Sequence, residues 1–338
     1  MIADRANPLV LVTGGAGFIG SHLCEALLMR GARVRVLDDF STGRWENLAR
    51  IHSDIEVIEG GLESASAVER AVAGVDSIAH LAARSSVVES IGARELYWRV
   101  NVEGTATLFA AAAAARARRV VFAASSSAYG DRAPTHVQAH DQTHDQAHEV
   151  AHDVAHDVAH DVPQDESMQP HPASPYAASK VEGERLVRAL AQTGGVDAIA
   201  LRFFNVYGLR QDPNSAYAAV IPRFMTRVAE GKPVTVFSDG LQTRDFVHVS
   251  DTARAVIAAL DAKHVLGGVI ANVGTGQATT VTELVRLVGA VLGKPAMVEY
   301  QPAREGEVRH SVAATERAAQ LIGFRASMSL ESGLRTMV

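Results

Sequence analysis

A short unbroken apolar run, LVLVT at residues 9–13, leads into GGAGFIG and then into apolar positions Phe18, Ile19, Leu23, Leu27 and Leu28 at helical spacing. A continuous apolar run of that length reads as a buried strand, and the spacing of three and four that follows it reads as a helix. Residues 33–37 (RVRVL), 55–58 (IEVI), 77–81 (SIAHL), 120–123 (VVFA) and 198–201 (AIAL) read as further strands, separated by helical stretches such as 100–116. Strands alternating with helices predict an α/β fold with a doubly wound parallel sheet. Its strand ends then present HLAA (80–83), SSSAYG (125–130) and RFFNVYG (202–208) towards one crevice.

The first turn carries chemistry as well as pattern. Gly14, Gly17 and Gly20 fall at GxxGxxG spacing between strand and helix, where glycines allow a tight turn, the approach of a pyrophosphate to the helix N-terminus, and close helix–strand packing. The second strand runs out at Asp38, 18 residues beyond Gly20, where a dinucleotide fold places the carboxylate for the adenosine ribose diol. A carboxylate there repels a 2′-phosphate, so NAD is favoured over NADP; Arg44 is the one nearby cation that could argue the other way.

A second signal lies at Ser174-Pro175-Tyr176-Ala177-Ala178-Ser179-Lys180. Ser174 suits an N-cap and Pro175 a first helical position, so a helix is expected from here to the Gly194-Gly195 stop. Tyr176 and Lys180 then share a face. A free phenol has a pKa near ~10, and a neighbouring ammonium would lower it towards the range of a base for a secondary alcohol. So short a pattern is also met as a packed tyrosine beside a solvated lysine.

Composition narrows the class. With 338 residues, 47% hydrophobic and 21% charged, the chain can build one large or two ordinary globular domains. Cys24 is the only cysteine, which rules out an internal disulfide and a cysteine-based zinc site and fits a reducing cytoplasm. No basic segment followed by a long apolar run opens the chain, and no apolar stretch approaches the ~20 residues of a membrane span, so a soluble protein is expected. The net charge is -6, but residues 136–166 hold eight Asp/Glu and no Lys/Arg; without them the chain carries about +2. That balance gives no reason to expect nucleic-acid binding.

Those acids belong to a repeat. Residues 139–162 read AHDQ THDQ AHEV AHDV AHDV AHDV, six tetrads of low complexity. Histidines at i,i+4 could bind zinc or nickel on a helix, but four residues at ~3.6 per turn drift by about 40° per tetrad, so at most two or three would converge. The aspartate beside each histidine equally describes a solvated polar loop, and no metal is assigned.

In combination, GGAGFIG, LDDFSTG (37–43), HLAA, Asn101 in NVEGT, SSSAYG, YAASK, RFFNVYG, QTRDFVHVSD (242–251) and REGEVRHS (304–311) resemble the motifs of the extended short-chain dehydrogenase/reductases of the nucleotide-sugar epimerase and dehydratase type. They occur in order over nearly the whole chain. The resemblance implies a Rossmann-like NAD-binding domain over residues 1–207, with the repeat as an insert at 136–166. It also implies a smaller C-terminal substrate-binding α/β domain over 208–338, from which about 242–262 returns to the first, and a homodimer. Around the cofactor it implies Gly14, Gly17, Phe18, Ile19 and Gly20 at the pyrophosphate, Asp38 at the adenosine ribose with Ser41, Thr42 and Gly43 following, and Leu81, Ala82, Ala83 and Asn101 along the wall. Lys180 would hold the nicotinamide ribose and tune Tyr176, while Ser125, Ser126 and Ser127 would face the reacting O4. Ser86, Val87 and Asn205 would contact the substrate, and Arg244 and Arg304 would clamp its diphosphate, a task suited to the planar guanidinium fork. Where this family usually carries an aspartate for adenine, the register places Gly61, so one adenine contact is expected to be missing.

The resemblance also sorts reactions. Family members that eliminate water or carbon dioxide carry an acid just before the YG of the SSSAYG motif, whereas this chain has Ser126, Ser127 and Ala128. It therefore looks like a 4-epimerase: Tyr176 takes the O4 proton as the C4 hydride passes to NAD, the ketose turns, and both return on the opposite face. Ser311 stands seven positions after Arg304, where relatives place a gate over the sugar C2 substituent; a small residue admits an acetamido group, which points to UDP-N-acetylglucosamine/UDP-N-acetylgalactosamine. UDP-glucose/UDP-galactose or a UDP-uronate is the alternative pair, and a non-catalytic NAD-sensing protein the alternative class.

Overall fold

The computed structural model describes residues 7–130, 162–212, 220–303 and 308–338. The HD tetrads up to residue 161 and Arg304 lie outside the described residues. Six strands come first: β1 (Leu9–Thr13), β2 (Arg33–Asp38), β3 (Ile55–Glu59), β4 (Ser77–His80), β5 (Arg119–Ser125) and β6 (Asp197–Phe203). Further along, β7 (Asn205–Tyr207), β8 (Val234–Phe237), β9 (Thr243–Arg244) and β10 (Phe246–His248) precede β11 (Val269–Val273), β12 (Thr279–Thr280), β13 (Val298–Gln301) and β14 (His310–Ser311). The main sheet has the order β11-β6-β5-β4-β1-β2-β3, parallel throughout. It is the doubly wound α/β sheet that the alternating pattern predicts.

The apolar runs are continuous because both faces of the sheet are covered. In β1, Val10 and Val12 point into one core with helices Phe18–Met29 and Val249–Asp261, while Leu9 and Leu11 point into the opposite core with Ala65–Val72, Gly104–Ala114 and Pro175–Thr193. A smaller core forms apart from these, where Ile221, Phe224, Val234, Val236, Leu284 and Val288 pack around β8, β13 and the helices Val220–Ala229 and Val281–Leu292.

Two local readings change. The strand β11 was not expected from its sequence, because Asn272 interrupts the run; its side chain is buried and bonded to Tyr129 Oη and to the Gln164 and Ala314 carbonyls. Since β11 is the seventh strand of the main sheet, the chain's return to it extends past residue 262 to Val273. The helical stretch at 100–116 is broken: Arg94–Trp98 is followed by a π-helical turn, Arg99–Glu103, and then by Gly104–Ala114. Within the returning stretch the helix Val249–Asp261 is capped by His248 Nδ1, which accepts from Ser250 N–H at 3.3 Å.

The segment after residue 161 is stitched to the framework. Gln164 N–H donates to Val312 O (2.7 Å), its carbonyl accepts from Ala314 N–H (2.9 Å), the Glu166 carboxylate accepts from Asn272 N–H (2.6 Å), and His171 N–H donates to Ala128 O (2.8 Å). No helix among the described residues is long and apolar enough to cross a membrane, and no group of three or more metal-ligating side chains occurs among them.

Candidate active site

The strand ends of the main sheet open into a cavity of about 400 Å³. Gly14, Gly17, Phe18, Ile19 and Gly20 line it on one side, and Leu81, Ala82, Ala83, Ser125, Tyr176 and Lys180 on the other. The turn is made for close approach. Gly14 has φ +70°, and a Cβ on it would lie 2.8 Å from the Ala82 backbone; on Gly20 a Cβ would lie 2.1 Å from Gly14 O. Only glycine leaves that space for helix, strand and ligand together.

Asp38 closes the β2 end of the crevice. Its Oδ2 accepts from Ala16 N–H and its Oδ1 from Phe40 N–H, both at 2.9 Å. Burial pushes its pKa up, and those two backbone N–H groups oppose the shift by favouring the carboxylate. Ser41, Thr42 and Gly43 continue the lining. Arg44 pairs with Asp212 at 2.6 Å, so the cation that might serve a 2′-phosphate is already engaged. Glycine cradle, buried acceptor carboxylate and strand-end crevice together fit NAD.

The helix Pro175–Thr193 begins as its sequence predicts, with Ser174 Oγ accepting from Ala177 N–H at 3.1 Å and Pro175 in its first turn. This sets Tyr176 and Lys180 into the crevice beside β5. The Ser125 side chain faces the Tyr176 phenol and favours its ionised form, and the Ser125 Oγ accepts from Ser127 N–H at 3.2 Å. Ser126 and Ser127 belong to the following 3-10 turn, where Ser127 Oγ is buried without a partner.

Lys180 is anchored on the β5 backbone. Its Nζ donates to Ala123 O at 2.8 Å and lies 5.9 Å from the Tyr176 ring centre. Burial raises the Tyr176 pKa, and the Ser125 side chain is what opposes it; burial also pushes Lys180 down to about 8, against the raising effect of Glu184. Burial is the largest effect on both groups. The same helix is tied to β6 by Glu184, whose Oε1 and Oε2 accept from Arg202 Nε and Nη2 at 2.7 and 2.8 Å, both residues buried.

Behind the crevice a chain of hydrogen bonds fixes the wall. Ala82 N–H donates to Thr13 Oγ1 (3.2 Å), which pairs with His80 Nδ1 (2.7 Å); His80 Nε2 meets Thr105 Oγ1 (2.9 Å), which donates to Asn101 O (2.6 Å). Because the Thr105 proton goes to Asn101, Nε2 must carry the imidazole proton and Thr13 must donate to Nδ1. Asn101 lies in the π-helical turn, 2% exposed, and does not line the cavity. Its amide is spent on Arg84 N–H and C=O and on Ser179 Oγ, so it positions the wall against the Tyr176 helix where direct cofactor contact was expected.

His80 is fully buried, and desolvation pushes its pKa down to about 3, with the Lys180 charge adding to the effect. Between about pH 6.5 and 3 the unfolded chain therefore binds a proton that the folded chain does not, so stability is lost as pH falls through that window. Urea unfolding at pH 7 and pH 5 is expected to show this loss, and His80→Asn, though less stable at pH 7, should show a smaller one. An identical pH dependence in both proteins would mean that His80 charges without unfolding.

On the far side of the crevice, β7, β9 and β14 bring the expected substrate residues together. Asn205, Arg244 and Gln242 line a second cavity of about 250 Å³ with Tyr207, Phe224 and Phe246. Asn205 Nδ2 donates to Asp245 O at 3.2 Å, and Arg244 is paired in register with the buried Ser311. Ser311 Oγ donates to Gln164 Oε1 at 3.3 Å, a partner that its sequence position does not reveal. Ser86 caps the helix Val87–Gly92 by accepting from Glu89 N–H, and Val87 is 44% exposed; neither lines the two cavities. Arg84, Ser85 and Glu63 line the main cavity and were missed, since no turn or periodicity marks them.

Comparisons with known proteins fit this geometry. A family model described as the NAD dependent epimerase/dehydratase family matches residues 10–274. The chain is 34% identical over 334 residues to the UDP-glucose 4-epimerase of Mycolicibacterium smegmatis, covering 97% of this chain and 96% of that one. Among solved structures it is similar to the UDP-N-acetylglucosamine 4-epimerase of Methanobrevibacter ruminantium in complex with UDP-N-acetylmuramic acid, with a TM-score of 0.86, 32% identity, and coverage of 98% and 97%. The UDP-glucose 4-epimerase of Thermus thermophilus in complex with NAD gives a TM-score of 0.81 at 32% identity, covering 97% of each chain.

Proposed function

The chain belongs to the NAD-dependent epimerase/dehydratase family as a nucleotide-sugar 4-epimerase, and on that premise we propose that it interconverts UDP-N-acetylglucosamine and UDP-N-acetylgalactosamine. The observation that carries the choice of sugar is Ser311, a small residue set in register beside Arg244. By the resemblance, a small residue at this position admits an acetamido group at C2, and Ser311, buried against Gln164, is small. The similarity to an N-acetylglucosamine 4-epimerase supports the same reading, and the likeness to UDP-glucose 4-epimerases favours the non-acetylated pair as the second.

When bound, NAD supplies the two-electron acceptor and donor at C4. The chain supplies the rest. Tyr176 exchanges the O4 proton, with Ser125 facing its phenol and opposing the burial that favours the neutral form. Lys180, held on Ala123 O, fixes that turn of the helix against β5. Arg244 holds the diphosphate, so that the sugar ring can turn while the nucleotide stays in place.

The test is a change of gate. Ser311→Tyr is expected to abolish turnover of the N-acetylhexosamine pair and to spare UDP-glucose/UDP-galactose, since a ring placed in a packed pocket costs about 1–3 kcal/mol or more against the larger ligand. Measuring kcat/KM for both pairs on both proteins decides it, and an unchanged preference in the variant would remove Ser311 from the argument.

A further inference from the structure

The adenosine end of the crevice holds a carboxylate with no part in the chemistry above. β2 and β3 lie side by side and end at Asp38 and Glu59, so beyond Asp38 the crevice wall is formed by Gly60, Gly61, Leu62 and Glu63. Gly61 leaves a gap in that wall. A Cβ built on it would lie 2.6 Å from Glu63 Oε2, and no other side chain comes closer than 3.8 Å. The Glu63 carboxylate therefore stands over the Gly61 Cα, in the volume that a side chain at position 61 would fill. Its Oε1 faces Arg99 Nε at 3.7 Å, an attraction that steadies the group from behind. Among the described residues Oε2 has no donor.

A dinucleotide with its pyrophosphate on the glycine turn and its ribose on Asp38 carries its base onward, past Asp38 and onto this wall. Adenine brings an exocyclic amine, a donor only, to that place. An ionised carboxylate is an acceptor only, so the two match, whereas the carbonyl of a 6-oxopurine would meet the carboxylate lone pair to lone pair. We propose that Glu63, reaching over Gly61, accepts a hydrogen bond from the adenine 6-amino group and makes the crevice selective for adenine over a 6-oxopurine. Positions 61 and 63 are then alternative sources of one carboxylate. The Gly61 backbone is not in the left-handed region, so what excludes a side chain there is the Glu63 carboxylate alone.

The inference rests on the reading that this crevice holds the dinucleotide, and the experiment separates the two. The full chain, freed of nucleotide, is titrated calorimetrically with NAD and with nicotinamide hypoxanthine dinucleotide. A hydrogen bond to a charged acceptor predicts a preference of about tenfold or more for NAD in the wild type. Glu63→Ala should bring the two affinities to within about threefold. The isosteric Glu63→Gln should strengthen binding of the hypoxanthine dinucleotide, because its amide can donate as well as accept. Gly61→Asp/Glu63→Ala should restore the preference for NAD from the neighbouring position. An undiminished preference in Glu63→Ala and Glu63→Gln overturns the inference while leaving the crevice reading intact. Failure of the wild type to bind either dinucleotide sinks both.

Discussion

Tyr176→Phe is expected to lower kcat by about 10²-fold or more while the protein keeps its fold and its NAD. The substitution removes one oxygen, which the Ser125 side chain faces, and leaves the ring that meets Tyr97 edge-on at 6.5 Å between centres. No structural contact of comparable weight is lost, so a fall in turnover without a fall in melting temperature reports the proton transfer itself. Turnover and bound NAD, read from the absorbance of the denatured supernatant, are the two measurements. A variant within a few-fold of wild type would place the O4 proton on another group.

Glu184→Ala is expected to cost about 3–5 kcal/mol of stability, because it strands the Arg202 guanidinium in a site with no other carboxylate bonded to it. Arg202 is 1% exposed and already leaves Nη1 without a partner, with its plane 4.5 Å over the Tyr129 ring. The pair binds the middle of the Tyr176 helix to β6, so the loss should reach the active site through helix position as well as through the charge that supports Lys180. Urea unfolding measures the first effect. The second variant, Glu184→Ala with Arg202→Met, should recover much of the loss by removing the stranded charge. A single variant as stable as wild type would show that water reaches Arg202 and that the bridge contributes little.

The elements most legible in the sequence are those whose side chains face two cores. LVLV (9–12) and VVFA (120–123) read as strands because alternate residues enter opposite apolar layers and none of them is polar. β11 escapes the same reading because Asn272 spends its amide on Tyr129 and Gln164, partners 143 and 108 residues away. The π-helical turn at Arg99–Glu103 leaves no periodic mark, although it seats Asn101 between the crevice wall and the Tyr176 helix. At the site, Gly14, Asp38, Tyr176 and Lys180 are legible because turn geometry and helix spacing fix them locally. Spacing gives a shared face but not its depth, so the burial that shifts both Tyr176 and Lys180 has no sign in the sequence. The Ser311–Gln164 bond joins segments 147 residues apart and has no local signature at all.

The stitches that flank the histidine–aspartate tetrads also bear on how such a repeat can persist in a gene. On one side Ala128 is held by His171, and on the other Gln164 and Glu166 are held by Val312, Ala314 and Asn272, so the framework is closed before the repeat begins and after it ends. A coding repeat gains and loses whole units when strands slip during replication, and each unit here is four residues, which keeps the reading frame. Between the anchors Ala128 and Gln164 the sequence has 35 residues, and one further tetrad, making 39, raises the closure cost by only about 0.1 kcal/mol. A closure cost that small gives selection on the enzyme little thermodynamic handle with which to hold the repeat at one length.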